Sequence, residues 1–466
     1  MILKARFVVP VDSPVIENGA VVIDDGRITA VGPAHELSAG KTVDYGDAVI
    51  FPGLVNAHTH LELSLLAGRV PPTSDFIDWL QRLIALRAAD LSPELRASEP
   101  GASATGEPPP LKRGDTGGSS PPPLTRGDPG GSSPPRSSAS AIPPPGDNRL
   151  ADYVARAVCR GIADSVSSGV TTIGDITAFP RLTRPALTDS PLRAVSFGEV
   201  IALGTGRAYL AERLEQAANL DHQTQTLRVG LSPHAPYTVE PDALRACADR
   251  ARQIGAPLCI HIAETREEEM FTRDRTGPFA GFLRRLGLWD EQIPRSGCTP
   301  VELCAAAGLL GPETLLAHAN YVGDADIATI AANRASVAYC PRTHDAFGHD
   351  PHRFRDMLRA GVNVCLGTDS LASSPSLSIL DELRFLRMKC HDVAPRDLLA
   401  MATLRGAGAL GFIDFTGSLT PGKSADLVVI PLIPSKRAAW ESFLDSAVIP
   451  LAVYIAGMRR SGSFYC

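Results

Sequence analysis

The strongest constraint on the fold is an alternation. Eight apolar runs, at 48–57, 170–175, 192–200, 227–232, 257–262, 314–319, 335–340 and 362–367, each give way to polar residues and then to a helical or polar stretch. Runs without internal polar alternation belong to strands buried on both faces, and helices between them supply the cover, so the sheet is parallel. Helical spacing is clear at 241–254, 324–333 and 377–390. Eight such units predict an α/β fold, a (β/α)8 TIM barrel. ARFVVPV and GAVVIDDGRITAVG near the start, and GSLTPGKSADLVVI with AVIPLAVYIAGMRR near the end, read instead as short strands with turns. They predict a small β-sandwich built from both chain termini, residues 1–50 and 413–466, beside a barrel of residues 51–412.

One segment stands apart. PPPLKRGDTGGSS at 108–120 is followed at once by PPPLTRGDPGGSS at 121–133, within a Pro-, Gly- and Ser-rich stretch of about 96–148. It holds too little apolar surface to offset the entropy of ordering, which predicts a disordered insertion. On one side, Ser74 is the expected cap of a helix whose face is Phe76, Ile77, Leu80, Leu83 and Ile84. On the other, Leu150, Tyr153, Val154, Ala157 and Val158 repeat the spacing.

A net charge of −6 excludes an electrostatic nucleic-acid binder, and no apolar stretch is long enough for a transmembrane helix. The N-terminal apolar run is too short for a secretory signal, and the nine cysteines, none in C-x-x-C spacing, read as reduced thiols. Both point to a cytoplasmic protein.

In a barrel of this kind, side chains at the C-terminal strand ends share one mouth. The first strand ends on His58 and His60, the fourth run leads to His234, and the fifth reaches His261, three residues before Glu264. His318, His344 and Asp369 follow at the ends of the last three. A lone histidine is usually a satisfied core or loop residue, but six of eleven at one end of a barrel call for a cation. On a strand, residues i and i+2 face the same side, so His58 and His60 can reach one ion, with His261 and Asp369 completing its shell. The set suits one divalent ion, zinc or another first-row metal, and does not separate them. The expected cofactor is one such ion, Zn2+ first, with Fe2+ the alternative. Glu264 beside a metal-bound water is placed to carry protons, and His318 to hydrogen-bond the attacking oxygen. Glu267, Glu268 and Glu269 read as ordinary solvated charges. The H-E-x-x-H, P-C-x-x-C and phosphate-loop motifs are absent, and no lysine lies near the fourth strand end to bridge two metals.

PGLVNAHTH, SPHAPYT, HIAET, LAHANYV, GTDS and GKSADLVVI together resemble the amidohydrolase superfamily, in its mononuclear deaminase and chlorohydrolase branch, over nearly the whole chain outside the repeats. The resemblance implies metal ligands at His58, His60, His261 and Asp369, and proton handling by Glu264 and His318, with Asp369 assisting the water. It implies substrate contact by His234. HTHLELS, FIDWL, CPRTHDAFGH and GTDSLASSPSLSILDELRF are most similar to the aminodeoxyfutalosine deaminases of menaquinone biosynthesis. Relatives acting on methylthioadenosine and S-adenosylhomocysteine often carry Asn where this chain has His344, so His344, with Arg342, is a candidate contact to a different substituent.

The expected function is hydrolytic deamination of an adenine-type nucleoside by a metal-activated hydroxide. The alternatives are another deaminase or a chlorohydrolase of the same branch and, in another class, a catalytically silent scaffold. The expected partner is a small nucleoside, with a homodimer left open and neither nucleic acid nor membrane involved. Because the insertion lacks core positions, excising residues 96–148 should leave turnover at the parent rate. An inactive or unfolded deletion variant would show that the segment belongs to the folded unit.

Overall fold

The computed structural model describes residues 1–37, 40–91, 148–433, 439–445 and 447–460. Apart from Asn148, the repeat segment at 96–148 lies outside the described residues. Sixteen strands are described: β1 Ile2–Val8, β2 Ile16–Asp24, β3 Arg27–Pro33, β4 Thr42–Asp44, β5 Ala48–Pro52, β6 Leu54–Thr59, β7 Val170–Thr177, β8 Arg193–Val200, β9 Leu227–Pro233, β10 Leu258–Ile262, β11 Thr314–His318, β12 Ser336–Tyr339, β13 Asn363–Leu366, β14 Leu427–Pro431, β15 Ala452–Ile455 and β16 Met458–Arg460.

Strands β6 to β13 form one parallel sheet in chain order. It curls until its ends meet at a parallel bridge between Thr59 and Asp369, so this is the expected barrel. The interior is filled by Val195, Phe197, Cys259, Leu315, Ala317 and Cys365, with Leu410 and Phe412 among the residues packed against them. A larger apolar layer packs the outer strand faces against the helices. The terminal strands make a separate sheet in the order β16-β15-β14-β5-β1-β2-β3, with β4 beside β1. Both chain ends contribute, through antiparallel pairing of β5 with β14.

The first apolar run, read as one strand over 48–57, is in fact two. Its first half, β5, joins the terminal sheet and its second half, β6, joins the barrel. The break is at Gly53, whose amide donates to the Asp426 carbonyl at 2.8 Å. A Cβ there would lie 2.1 Å from Thr171 Oγ1, so only glycine lets the chain pass between the sheets.

Helices Phe76–Leu91 and Arg149–Ser167 flank the undescribed segment and bury Phe76, Ile77 and Leu83, and Leu150, Tyr153, Val154, Ala157 and Val158. The cap of the first helix is Asp75 rather than Ser74: its carboxylate accepts from the Asp78 amide at 2.9 Å, and a carboxylate there also faces the positive end of the helix dipole. No described helix is long and apolar enough to cross a membrane. Seven described cysteines are free thiols, but Cys159 is disulfide-bonded, against the reduced state expected of all nine.

Candidate metal and catalytic site

Strand alternation carries part of the site to the mouth. On β10, Cys259 faces the barrel interior, so His261, two residues on, continues that column upward. On β11, Leu315 and Ala317 face inward, and plain alternation would turn His318 away. Instead His318 and Ala319 adopt left-handed backbone, with φ of 71° and 50°. That turn brings the His318 ring to 5.3 Å from His58 and 5.5 Å from His261, centroid to centroid. Ala263, at φ 49°, and Asp369, at φ 58°, make similar turns after β10 and β13. Non-glycine residues pay strain in this region, and such residues concentrate at functional sites.

The side chains converge. Nε2 of His60 lies 3.2 Å from Nε2 of His261. Oδ1 of Asp369 lies 3.6 Å from Nε2 of His60 and 3.8 Å from Nε2 of His58. Ligand atoms held about 2.1 Å from a tetrahedral ion stand about 3.4 Å apart, so these spacings fit one divalent cation. The chemistry agrees. Nε2 of His58 is buried without a hydrogen-bond partner. Nδ1 of His261 donates to the His234 carbonyl at 2.9 Å, which leaves its Nε2 lone pair free. His58, His60 and His261 together, and His58, His318 and Asp369 together, are the groups able to hold a metal among the described residues.

Burial sets the protonation of the cluster. It pushes His58 and His60 well below the usual histidine range, with His261 adding to the effect. It brings His261 down to about 4, with His234 next in effect. Neutral imidazole is the form that binds a metal. Burial also raises Asp369 to about 6, opposed by a 2.5 Å hydrogen bond from the Ser373 hydroxyl to Oδ2. Glu264 is driven well above the carboxylate range by burial, and Asp369 adds to this. Its Oε1 lies 3.4 Å from Nε2 of His318, an atom without a hydrogen bond. A carboxyl of raised proton affinity beside a metal-sized cluster is suited to taking up and handing on a proton.

Residues 49–459 match the amidohydrolase family. The chain belongs to that family. This amidohydrolase is a hydrolase that acts on carbon–nitrogen bonds. A shorter match, residues 19–39, is to an imidazolonepropionase-like composite domain of bacteria. The amidohydrolase is 28% identical to a 5-methylthioadenosine/S-adenosylhomocysteine deaminase of Moorella thermoacetica, over 93% of this chain and 86% of that one. Its fold is similar to Helicobacter pylori aminofutalosine deaminase in complex with methylthio-coformycin, at a TM-score of 0.77 and 23% identity, covering 99% and 100% of the two chains. It is also similar to an adenosine deaminase from Xanthomonas campestris with bound zinc, at a TM-score of 0.72 and 23% identity, covering 98% and 92%.

Other residues of the amidohydrolase mouth lie as follows. His234 follows β9, with Nδ1 2.7 Å from Thr238 Oγ1 and its ring 5.0 Å from that of His261. Arg342 gives most of its donors to the protein: Nε and the backbone amide go to Glu382, and Nη2 to Ser374 and Ser376, while Nη1 lies 3.7 Å from Asp381. His344 is likewise engaged, Nδ1 with Asn320 Oδ1 at 3.0 Å and Nε2 with the Asp350 carbonyl at 2.8 Å.

Glu268 corrects the solvated-charge expectation. It is fully buried, and its carboxylate accepts from the amides of Ala263 at 2.9 Å and Glu264 at 2.8 Å. It therefore holds the left-handed turn that aims Glu264. The signal was in the sequence: Thr265 and Glu268 make the T-x-x-E pattern of a helix start, and Thr265 Oγ1 does accept from the Glu268 amide. Asp175 plays a similar part for the other wall, accepting from the Leu61 amide just past His60 at 2.9 Å. Replacing Glu268 by Gln keeps one acceptor and turns an amide N–H against the other donor. The expected result is a fall in kcat of at least about tenfold, since misplacement of a catalytic group by about 1 Å costs up to about a hundredfold, with metal content unchanged. Parent-like kcat in Glu268→Gln would show that the turn holds without it.

Proposed function

We propose that this amidohydrolase is a metal-dependent aminohydrolase that removes the exocyclic amino group of an adenine-type nucleoside. The observation that carries the reading is the Glu264–His318 pair standing beside three imidazoles and a carboxylate spaced for one cation. His58, His60, His261 and Asp369 would hold that ion, Zn2+ before Fe2+. Such an ion supplies Lewis acidity, lowering the pKa of a water toward neutrality.

The chain's own groups do the rest. Glu264 takes a proton from water as the oxygen bonds to the amidine carbon and delivers it to the ring nitrogen, whose double bond to that carbon opens. The second proton passes from the new hydroxyl, through Glu264, to the amino group; the exocyclic carbon–nitrogen bond breaks, ammonia leaves and the ring keeps the oxygen as a carbonyl beside its N–H. His318 hydrogen-bonds the attacking oxygen, and Asp369 steadies it from the other side. His234 contacts the substrate, with the Tyr237 ring edge-on at 5.6 Å and stacked on Phe279 at 4.1 Å as an apolar wall. Arg342 and His344 hold the loop here, and Nη1 of Arg342, 3.7 Å from Asp381 and hydrogen-bonded to no described residue, is the donor left to contact a substituent of the substrate.

Within this reading, 6-amino-6-deoxyfutalosine is the proposed substrate, which gives the enzyme a place in menaquinone biosynthesis. The motifs around His60, Arg342 and Asp369 and the likeness to the H. pylori fold support it. A second reading, deamination of methylthioadenosine, S-adenosylhomocysteine or 5′-deoxyadenosine, is favoured by what the curated relatives act on. Ammonia release over these four compounds decides between them; release from none would contradict the nucleoside reading. Glu264→Gln removes the proton carrier but no ligand. It should keep the parent's metal stoichiometry and lower kcat by about 10²–10⁴-fold, the usual range for general acid–base catalysis. Parent-like turnover in that variant would overturn the role.

A further inference from the structure

One carboxylate at the mouth has no part in the chemistry above. On β8, Val195 and Phe197 face the barrel interior, so Glu199 continues that inward column to the rim. Its neighbour across β9 is Ser232, just below His234. Oε1 of Glu199 lies 3.9 Å from Nε2 of His234, too far for a hydrogen bond, and the carboxylate accepts none from any described residue.

The state of His234 sharpens the point. The Thr238 hydroxyl donates to the Ala235 carbonyl at 3.1 Å, so its oxygen accepts from His234 Nδ1–H at 2.7 Å. Nε2 then keeps its lone pair. When Glu199 is ionised, two acceptors stand side by side at the mouth with no donor from the described residues between them, although half-buried acceptors normally find partners. A ligand that fits here must bring donors, and two adjacent ones suit the spacing. On an adenine nucleoside the amino group is required at Glu264 and His318, and the rest of the base offers chiefly acceptors. The remaining adjacent donors are the hydroxyls of the sugar.

We infer that Glu199 is a specificity-determining residue whose carboxylate accepts hydrogen bonds from the vicinal 2′,3′-hydroxyls of a ribose, with His234 Nε2 as its neighbouring acceptor. The inference rests on the nucleoside reading and extends it from the base to the sugar. The sequence carried a faint signal: past Arg193 at its start, Glu199 is the one charged residue of β8, in a stretch, residues 194–200, whose other residues are buried.

The test compares the fastest of adenosine, 5′-deoxyadenosine, 5′-methylthioadenosine and 6-amino-6-deoxyfutalosine with its 2′,3′-dideoxy counterpart, in the metal-loaded parent and in Glu199→Gln and Glu199→Ala. The parent should lose at least about tenfold in kcat/KM on the dideoxy compound, as expected when a charged acceptor is left without its partner. Both variants should lose a similar factor on the ribonucleoside, mainly through KM, and little more on the dideoxy compound, with metal content unchanged. Equal losses on both compounds would assign Glu199 a structural role and overturn the inference. So would a parent that does not discriminate, a result independent of whether either variant folds. If the parent deaminates ribonucleosides and these comparisons fail, the inference alone falls; if it deaminates no nucleoside, the function proposed above falls with it.

Discussion

The whole arrangement depends on how the barrel closes. The His58 carbonyl accepts from the amides of both Thr368 and Asp369, each at 3.1 Å, and the Thr59 hydroxyl donates to the Asp369 carbonyl at 3.1 Å. Asn56 and Thr368 add a pair of bonds, 2.8 Å and 3.1 Å, just below. This seam joins the first barrel strand to the last and sets Asp369 beside the two histidines of H-x-H. Close approach is possible only because residue 367 is glycine: a Cβ there would lie 2.9 Å from both Cβ and the carbonyl oxygen of His58. Closing the fold and assembling the site are therefore one event.

The seam creates an electrostatic problem that defines the site. Three imidazoles and two carboxyl groups leave water together, and burial alone drives every one toward its neutral form. Nε2 of His58 and of His318 find no hydrogen-bond partner among the described residues, although buried polar groups rarely go unsatisfied. A divalent cation among the Nε2 atoms of His58, His60 and His261 and the Asp369 carboxylate would resolve this: it would give His58 its missing partner and favour the ionised carboxylate. Hydrogen bonds from elsewhere then fix the ligands, the His234 carbonyl orienting His261 and the Ser373 hydroxyl holding Asp369.

Much of this was legible in the sequence because it follows from periodicity. Eight apolar runs gave the barrel, and the i, i+2 spacing placed His58 and His60 on one side. What was not legible depends on backbone that breaks periodicity. The split of the first run at Gly53 turns on a contact with Thr171 from a distant strand. His318 reaches the site through a left-handed residue that alternation would not foresee. Glu268 looked like one of three surface acids, yet it alone folds back under the turn at Ala263 and Glu264. Arg342 stands at a strand end like the candidate ligands, and Glu382 from the helix Ile379–Lys389 accepts from its Nε, a long-range pairing that no local pattern announces.

The most direct test is an anomalous-scattering map of crystals grown from the full-length, metal-loaded protein. The account predicts a single strong peak about 2.0–2.2 Å from Nε2 of His58, His60 and His261 and from an Asp369 carboxylate oxygen. A peak elsewhere, or one with His261 or Asp369 beyond coordinating distance, would contradict it.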